Sequence, residues 1–499
     1  MITIQARYPS LYPDACGAGK SSCMKGGIGL LFYSSLSLLA LGSGGVRGAL
    51  APLGADQFDQ KNPKEAKALT SYFNWLLLST TTGASIGVTV IVWISMNKGW
   101  WKGFLISLVV AFVGFVVFAL GKPFYRLRAP GDSPIIRVTQ VIVVAIKNRK
   151  LSLPKDSDEL YEIDEKQSAY AEEKIQNSNQ FRCLDKAAIL RQDSKPTPWT
   201  VCTVTQVEEV KILTRMLPII GSTILMNTCL AQLTTFSVQQ GSIMDLYLGT
   251  FKVPAPSIPI IPLVFMSILV PIYEFFFVPF ARKITNHPSG ISQLQRVGVG
   301  LVLSAISMAI AGIVEVKRRH QSIKNPLKPI SVFWLSFQYG IFGIADMFTL
   351  VGLLEFFYKE APASMKSLST SFTWISLSIG YFLSSVFVDI INSVTKRIAP
   401  SKKGWLHGII LDDNNLNLFY WFLAIVSVLN FFNYLYWASW YKYKTEDPVT
   451  DQPKSVEPKV SSPNSTVAFL KEESTPDQVS TATNGALSVE PKEEAKDKE

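Results

Sequence analysis

Long apolar segments recur along this 499-residue chain and constrain its fold more than any other feature. A helix that crosses a lipid bilayer needs about 20 consecutive, predominantly apolar residues. About nine runs reach that length, near residues 28–50, 71–95, 102–121, 212–236, 257–281, 296–316, 330–357, 367–392 and 417–440. We therefore predict an all-α polytopic membrane protein.

The composition and the placement of charge support this class of protein. Charged residues make up 17% of the chain, below the roughly 25% of soluble domains. The net charge is +10, but the basic residues are scattered between the apolar runs. That distribution is typical of loops that face an anionic membrane leaflet, so nucleic acid is not an expected partner.

A long polar region, 122–211, separates the first three predicted spans from the last six. Its lysines and arginines place it in the cytoplasm by the positive-inside rule. Near its start, "SPIIRVTQVIVVAIKNRK" mixes apolar and basic residues, which predicts a helix at the membrane surface. The charged stretch 154–180 is predicted to be a solvated linker, and the tail after Lys444 to be disordered.

Three motifs suggest cofactor chemistry, and none of them is complete. "DACGAGKSS" ends like a phosphate loop, but Asp14 occupies the position of the first glycine and no apolar strand precedes it. The glycines around Arg47 match a dinucleotide fingerprint only loosely, and close packing of membrane helices explains them better. The five cysteines are interpreted as free thiols, although Cys16 and Cys23 could pair in an extracytoplasmic loop. We therefore expect no metal, no cofactor and no enzymatic activity.

Charged residues inside the apolar runs are the strongest functional candidates, because a charge in the bilayer interior costs at least a few kcal/mol. An arginine offers a planar fork for an anion, and a carboxyl group facing a cavity can carry a proton. The alternative is that these charges pair and hold helices together. The candidates are Arg47, Glu274, Asp346, Glu355 and Asp389.

Two further patterns bear on a cavity. Asp346 and Glu355 are about two and a half helical turns apart, so a straight helix directs them to roughly opposite faces. Gln232, Gln239 and Gln240 could hydrogen-bond either a polar substrate or a neighbouring helix. The prolines in "VPIYEFFFVPF" predict a broken or bent helix.

Several segments together resemble the plant nitrate transporter 1/peptide transporter family. They are "LALGSGGVRGALAPLGADQFD", "SYFNWLLLSTTTGASIG", "FRCLDKAAI", "KILTRMLPIIGSTILMNTCLAQLTTFSVQQG" and "GLLEFFYKEAPASMKSLSTS". This family is the plant branch of the proton-dependent oligopeptide transporters within the major facilitator superfamily. "QARYPSL" and "RVGVGLVLSAISMAIAGIVEVKRR" look most like the subfamily that includes abscisic acid and low-affinity nitrate transporters.

The resemblance implies two six-helix bundles around a central cavity, with alternating access driven by a proton gradient. Arg47 stands where many members carry a lysine, and Glu355 matches the tenth-helix glutamate near substrate and proton. Tyr273 lies in the matching eighth-helix motif. Leu230 replaces the histidine that some members use for nitrate, which argues against that mode of nitrate recognition.

By this resemblance, about nine of twelve family helices are present, without the E-x-x-E-R motif of the first helix. The implied organisation is a helix remnant and extracytoplasmic loop (1–27), part of the N-terminal bundle (28–121), a cytoplasmic linker with a surface helix (122–211), a six-helix C-terminal bundle (212–443) and a disordered tail (444–499). We expect Arg47 to lack its E-x-x-E-R partner and this chain to transport poorly or not at all.

The predicted function is a proton-coupled symporter of a small solute such as nitrate, abscisic acid, another organic anion or a peptide. Proton coupling is assigned to Glu355, with Arg47 as counter-ion or substrate anchor. The alternative is a transport-inactive membrane protein that associates with intact relatives, as a homo- or hetero-oligomer. The expected location is the plasma membrane, with the tonoplast as the alternative, and lipid and protons are the expected partners.

Overall fold

The computed structural model describes residues 1–11, 26–59, 62–126, 133–154, 160–162, 175–190, 197–285, 290–398, 402–408, 411–441 and 443. Cys16, Cys23, the phosphate-loop-like segment, most of 154–180 and the tail after Lys444 lie outside these residues.

The prediction of an all-α membrane protein is confirmed. In the part of the chain that the structure describes, nine helical stretches are long and apolar enough to cross a membrane. They are Gly26–Ala55, Lys64–Lys98, Trp100–Leu120, Val204–Ser242, Ala255–Thr285, Gln293–Lys324, Val332–Glu360, Leu368–Ile398 and Leu416–Trp440. Most extend beyond the predicted apolar run, because polar turns continue the helix past its apolar section.

Individual helices are numbered here in chain order. They are α1 (Ile2–Gln5), α2 (Gly26–Ala55), α3 (Pro63–Ile86), α4 (Val92–Lys98), α5 (Trp100–Leu120), α6 (Pro134–Lys147), α7 (Arg182–Asp185), α8 (Val204–Ser242), α9 (Ile260–Ile272), α10 (Val278–Thr285), α11 (Gln293–Lys324), α12 (Leu335–Glu360), α13 (Lys366–Ile398) and α14 (Leu416–Trp440). A short antiparallel hairpin, β1 (Tyr247–Leu248) and β2 (Phe251–Lys252), follows α8.

Two of the spans contain a π-helical turn. Gly87–Ile91 joins α3 to α4, and Tyr273–Phe277 joins α9 to α10. The second turn begins two residues after Pro271, which lies inside α9. The prolines therefore do mark an irregular span, although the chain stays helical through it. Such single π-turns occur frequently at functional sites.

Capping boxes fix where two of the long helices begin. At α8, the Thr203 hydroxyl accepts a hydrogen bond from the Gln206 amide at 3.2 Å, and the Gln206 side chain accepts one from the Thr203 amide at 3.3 Å. Ser292 and Gln295 make the same reciprocal pair at α11. Because this motif satisfies backbone donors that a helix start leaves open, it sets the register of the first turn. Arg296, in the first turn of α11, thereby has a defined direction.

Two hydrophobic clusters organise the interior. The larger one packs α8, α11, α12 and α14 together around side chains such as Met216, Met308, Phe356 and Phe419. The smaller one joins α2 and α3 to α9 and α12, and it includes Phe73 and Tyr358. Because the smaller cluster draws on helices from before and after the polar linker, it connects the two groups of spans.

The polar linker contributes a docked helix. The segment predicted to form a membrane-surface helix is helical, as α6, and its place at the membrane stays a prediction. Its Arg137 is buried and forms a 3.0 Å ion pair with Glu209 on α8. Next to it, the fully buried Lys211 pairs with Asp185 and Glu208, at 2.7 Å each. Burial raises the pKa of Asp185 in spite of the opposing hydrogen bond and charge of Lys211. These pairs tie the linker to the first turns of α8.

Candidate functional site

Arg47 lines an open cavity of about 610 Å³ between α2 and α13. Its guanidinium lies over the Trp374 ring, 5.0 Å from the ring centroid, in the arrangement of a cation–π contact. Other residues of the wall are Gly44, Gly48, Ser371, Ser378 and Tyr381. Gly48 allows the two helices to approach, since a Cβ there would lie 3.4 Å from the Ser371 hydroxyl oxygen.

The polar groups of this cavity suit an anion. Among the described residues, no carboxylate lies within ion-pair distance of Arg47, and the buried indole nitrogen of Trp374 has no hydrogen-bond partner. Tyr381 lies within electrostatic range of both Arg47 and Asp346. The wall therefore presents a planar cation beside an aromatic ring, and a guanidinium can bind a carboxylate or another oxyanion through two parallel hydrogen bonds.

Glu355 lies in a different place, inside a buried charge cluster. Its carboxylate is fully buried and accepts hydrogen bonds from Arg296 Nη1 at 3.0 Å and Gln293 Nε2 at 3.1 Å. Lys359, one turn along α12, lies 2.9 Å away. Two cations thus surround one carboxylate, and neither of them is Arg47.

The cluster continues across to α3. Arg296 Nη2 donates to Asn74 Oδ1 at 2.9 Å, and Asn74 Nδ2 donates to Glu274 at 2.5 Å. Ser71 donates a further hydrogen bond to Glu274. This chain of contacts connects α3 with α11, α12 and the π-turn between α9 and α10.

Tyr273 belongs to the same cluster. The Arg296 guanidinium lies 4.9 Å from the centroid of its ring, and Phe277 stacks on the ring at 5.0 Å. The Tyr273 hydroxyl is buried and has no hydrogen-bond partner among the described residues. Arg296 therefore contacts both Tyr273 and Glu355.

The other predicted residues are separate from both places. Asp346 is half-buried on α12, and no hydrogen bond or ion pair joins it to another described side chain. Gln232 donates to the Ser384 carbonyl on α13 at 2.6 Å, so it bonds a neighbouring helix. Leu230 packs against the larger hydrophobic cluster. Gln240 donates to the buried Glu315 on α11 at 2.6 Å.

Arg296, Asn74 and Lys359 were missed in the sequence. Arg296 and Lys359 fall at or beyond the edges of predicted spans, where charges are ordinary. The available signal was an arginine followed directly by an uncharged run, "RVGVGLVLSAISMAIAGIV". In the described part of the chain, no cluster of three or more side chains suited to a metal ion occurs.

Comparisons with a family profile and with individual proteins point to the same family. The profile of the POT family (PTR2) matches residues 1–406. Protein NRT1/PTR FAMILY 4.5 of Arabidopsis thaliana is 44% identical over 454 residues, covering 89% of this chain and 79% of the relative. NRT1/PTR FAMILY 4.6 of the same plant is 40% identical, covering 89% and 80%.

Solved structures agree on the fold. An auto-inhibited POT family peptide transporter superposes with a TM-score of 0.56 at 19% identity, covering 84% of this chain and 79% of the other. The POT family transporter PepTSo gives 0.55 at 18% identity, with 82% and 78% covered. With the family profile and these relatives, the chain belongs to the POT family of proton-coupled membrane transporters and is not an enzyme.

Proposed function

We propose that this protein is a symporter that carries a small organic anion together with protons, and that Arg47 anchors the anionic group. The observation that carries the proposal is the cavity at Arg47, where a cation without a described carboxylate partner lies over the Trp374 ring. A carboxylate placed there receives two parallel hydrogen bonds from the guanidinium.

The dimensions and lining of the cavity favour an organic anion over nitrate. A volume of about 610 Å³ lies within the range of small-molecule sites. Trp374 and Tyr381 offer aromatic surface to an apolar ring or chain. Leu230, at the position where the family resemblance implies a nitrate-binding histidine in some members, lies outside this cavity and packs against the larger hydrophobic cluster. Abscisic acid fits this chemical class, and nitrate and peptide are the competing substrates.

We assign proton coupling to Asp346. Glu355 instead holds α12 against α11 through its ion pair with Arg296. Glu355 is already neutralised by Arg296 and Lys359, and protonating it would leave two cations facing each other. Asp346 has no cationic partner among the described residues. Both Asp346 and Arg47 lie close enough to Tyr381 to interact with it electrostatically. An unpaired carboxylate among membrane helices costs several kcal/mol to keep charged, and binding a proton removes that cost.

The test is uptake of labelled abscisic acid, nitrate and a dipeptide by oocytes expressing the chain, in acidic and in neutral medium. We expect acid-stimulated uptake of the organic anion. Absence of uptake of all three solutes would instead support the expectation from the sequence that this chain transports poorly or not at all. Arg47→Gln should abolish the uptake of the organic anion, whereas Arg126→Gln, an exposed arginine outside the cavity, should leave it unchanged. Asp346→Asn should remove the dependence on pH.

Three outcomes contradict parts of the proposal. Unchanged uptake in Arg47→Gln excludes the anchor. Stronger uptake of nitrate than of abscisic acid excludes the substrate class. If Asp346→Asn keeps its response to pH and Glu355→Gln loses it at equal surface expression, the proton is carried at Glu355 instead.

A further inference from the structure

Helix α6 is apolar on two opposite faces. At 100° per residue, its buried side chains fall within one arc; they are Arg137, Val141, Val144 and Ala145. The opposite arc is also apolar, but it is open to the surroundings. Its side chains are 42–65% exposed, and they are Ile135, Ile136, Ile142, Val143 and Ile146. A helix on the surface of a soluble protein would present polar groups on that side.

Charge around α6 has one sign. The segment 133–154 contains four basic residues and no acidic one. Three of the four, Lys147, Arg149 and Lys150, are exposed at the end of the helix. The fourth, Arg137, is on the buried face in its ion pair with Glu209. The exposed surface of α6 is thus apolar along its length and cationic at its end.

The docking of α6 places it next to a membrane-crossing helix. Val141 and Val144 belong to the same cluster as Ala187, Ala188 and Val204, the last of which is the first residue of α8. The Arg137–Glu209 pair holds α6 against the first two turns of α8. Helix α8 is one of the candidate spans, and Glu209 lies three positions before its apolar run at 212–236, so α6 docks on the polar section that leads into the span.

We propose that the exposed face of α6 is a lipid-binding surface, and that its partner is an anionic membrane leaflet. The isoleucine and valine side chains enter the boundary between headgroups and acyl chains, while Lys147, Arg149 and Lys150 contact the anionic headgroups. This is the division of roles seen in helices that lie in a membrane interface. A soluble protein or the tail 444–499 of this chain would be an alternative cover, and the test separates them.

The experiment is spin-label accessibility on the full chain in vesicles. Cys16, Cys23 and the exposed Cys183 are replaced by serine, whereas Cys202 and Cys229 are buried and stay. Burial raises the pKa of the Cys202 thiol to about 11, which lowers the fraction of reactive thiolate near neutral pH. Labels are then placed by Ile142→Cys or Ile146→Cys. Cys183, kept in an otherwise identical chain, is the matched control elsewhere in the linker.

In vesicles of equimolar phosphatidylcholine and phosphatidylglycerol, labels at 142 and 146 should be more accessible to oxygen than to a water-soluble nickel complex. The label at Cys183 should show the reverse. Greater access of nickel at 142 and 146 means an aqueous face, and low access of both reagents means a protein cover; either result overturns the proposal.

The requirement for anionic lipid is tested by a separate measurement. In pure phosphatidylcholine, and in the Lys147→Gln/Arg149→Gln/Lys150→Gln variant, the ratio of oxygen to nickel access at 142 should fall at least twofold. An unchanged ratio in both cases overturns the requirement for anionic lipid. None of these measurements depends on transport, so failure here and failure of the symporter proposal are distinguishable.

Discussion

Arg296 on α11 donates a 2.9 Å hydrogen bond to Asn74 on α3, across 222 positions of sequence. The contact is buried and joins helices on either side of the polar linker. Transporters of this type work by moving one group of helices against another around a central site. A polar contact between the two groups is therefore a place where the protein holds one arrangement.

Replacing Asn74 tests this contact. Asn74→Ala leaves Arg296 Nη2 and the Glu274 carboxylate each short of one partner. An unsatisfied buried group costs about 1–3 kcal/mol, so the thermal unfolding temperature of the detergent-solubilised protein should fall. Asn97→Ala is the control, because Asn97 is exposed and bonds only a carbonyl of its own helix. Equal unfolding temperatures for the two variants would show that the Arg296–Asn74 hydrogen bond does not stabilise the protein.

Removing the charge of Glu355 should have a larger effect. Glu355→Gln leaves the buried Arg296 and the nearby Lys359 without their shared carboxylate. Breaking a buried ion pair in this way costs about 3–5 kcal/mol, measured as a loss of unfolding free energy. Glu65→Gln breaks the exposed pair with Arg126 and should cost under about 1 kcal/mol. Adding Arg296→Gln to Glu355→Gln should restore part of the loss, and no recovery would contradict the pairing.

Asp412, before α14, predicts a dependence on pH. Burial alone would raise the pKa of Asp412, but hydrogen bonds from Ser322 and Arg318 and the charge of Arg318 outweigh it, so the pKa lies below its ordinary value. A carboxyl whose pKa is lowered by folding stabilises the protein above its unfolded pKa and loses that contribution as pH falls through the folded value. The difference in unfolding free energy between wild type and Asp412→Asn should therefore be largest near neutral pH. It should shrink as the pH falls below the ordinary pKa of an aspartate. Asp413→Asn, at the exposed neighbouring position, is the control for the loss of one negative charge at this end of the chain's last span.

Close packing of α11 on α12 can be tested at Gly300. A Cβ there would lie 2.7 Å from the Ala345 carbonyl oxygen, which belongs to the backbone and cannot rotate away. Gly300→Ala should cost about 1–3 kcal/mol of unfolding free energy through this overlap. Gly83 has no atom within 4 Å of such a Cβ, so Gly83→Ala should be neutral or stabilise by about 0.4–1 kcal/mol. A neutral Gly300→Ala would show that the helices are further apart.

The sequence was sufficient for the spans and for several of the charged residues, but not for their partners. Apolar length is a local property, so nine spans were predictable from runs of about 20 residues. Glu355 and Glu274 were recognisable as charges inside such runs. Their partners were not, because Arg296 lies 59 positions from Glu355, and only tertiary packing brings the two together.

The sequence also indicated the directions of side chains on a helix without identifying what each side chain faces. The half-turn between Asp346 and Glu355 indicated different surroundings, and the structure gives Glu355 two cations and Asp346 none among the described residues. The identity of each neighbour depends on which helix packs there. The assignment of proton coupling to Glu355, with Arg47 as counter-ion or substrate anchor, stays a prediction, and the structure places the two residues in different surroundings.

The π-turn at Tyr273–Phe277 has a consequence for how this span is compared with those of other proteins. A turn of this type contains one residue more than an α-helical turn, so side chains after Phe277 are rotated by about 100° relative to an unbroken helix. No single helical wheel describes the segment from Ile260 to Thr285. A relative without the extra residue would need a one-residue gap in its alignment here, or Glu274 would be matched to a position that faces another helix.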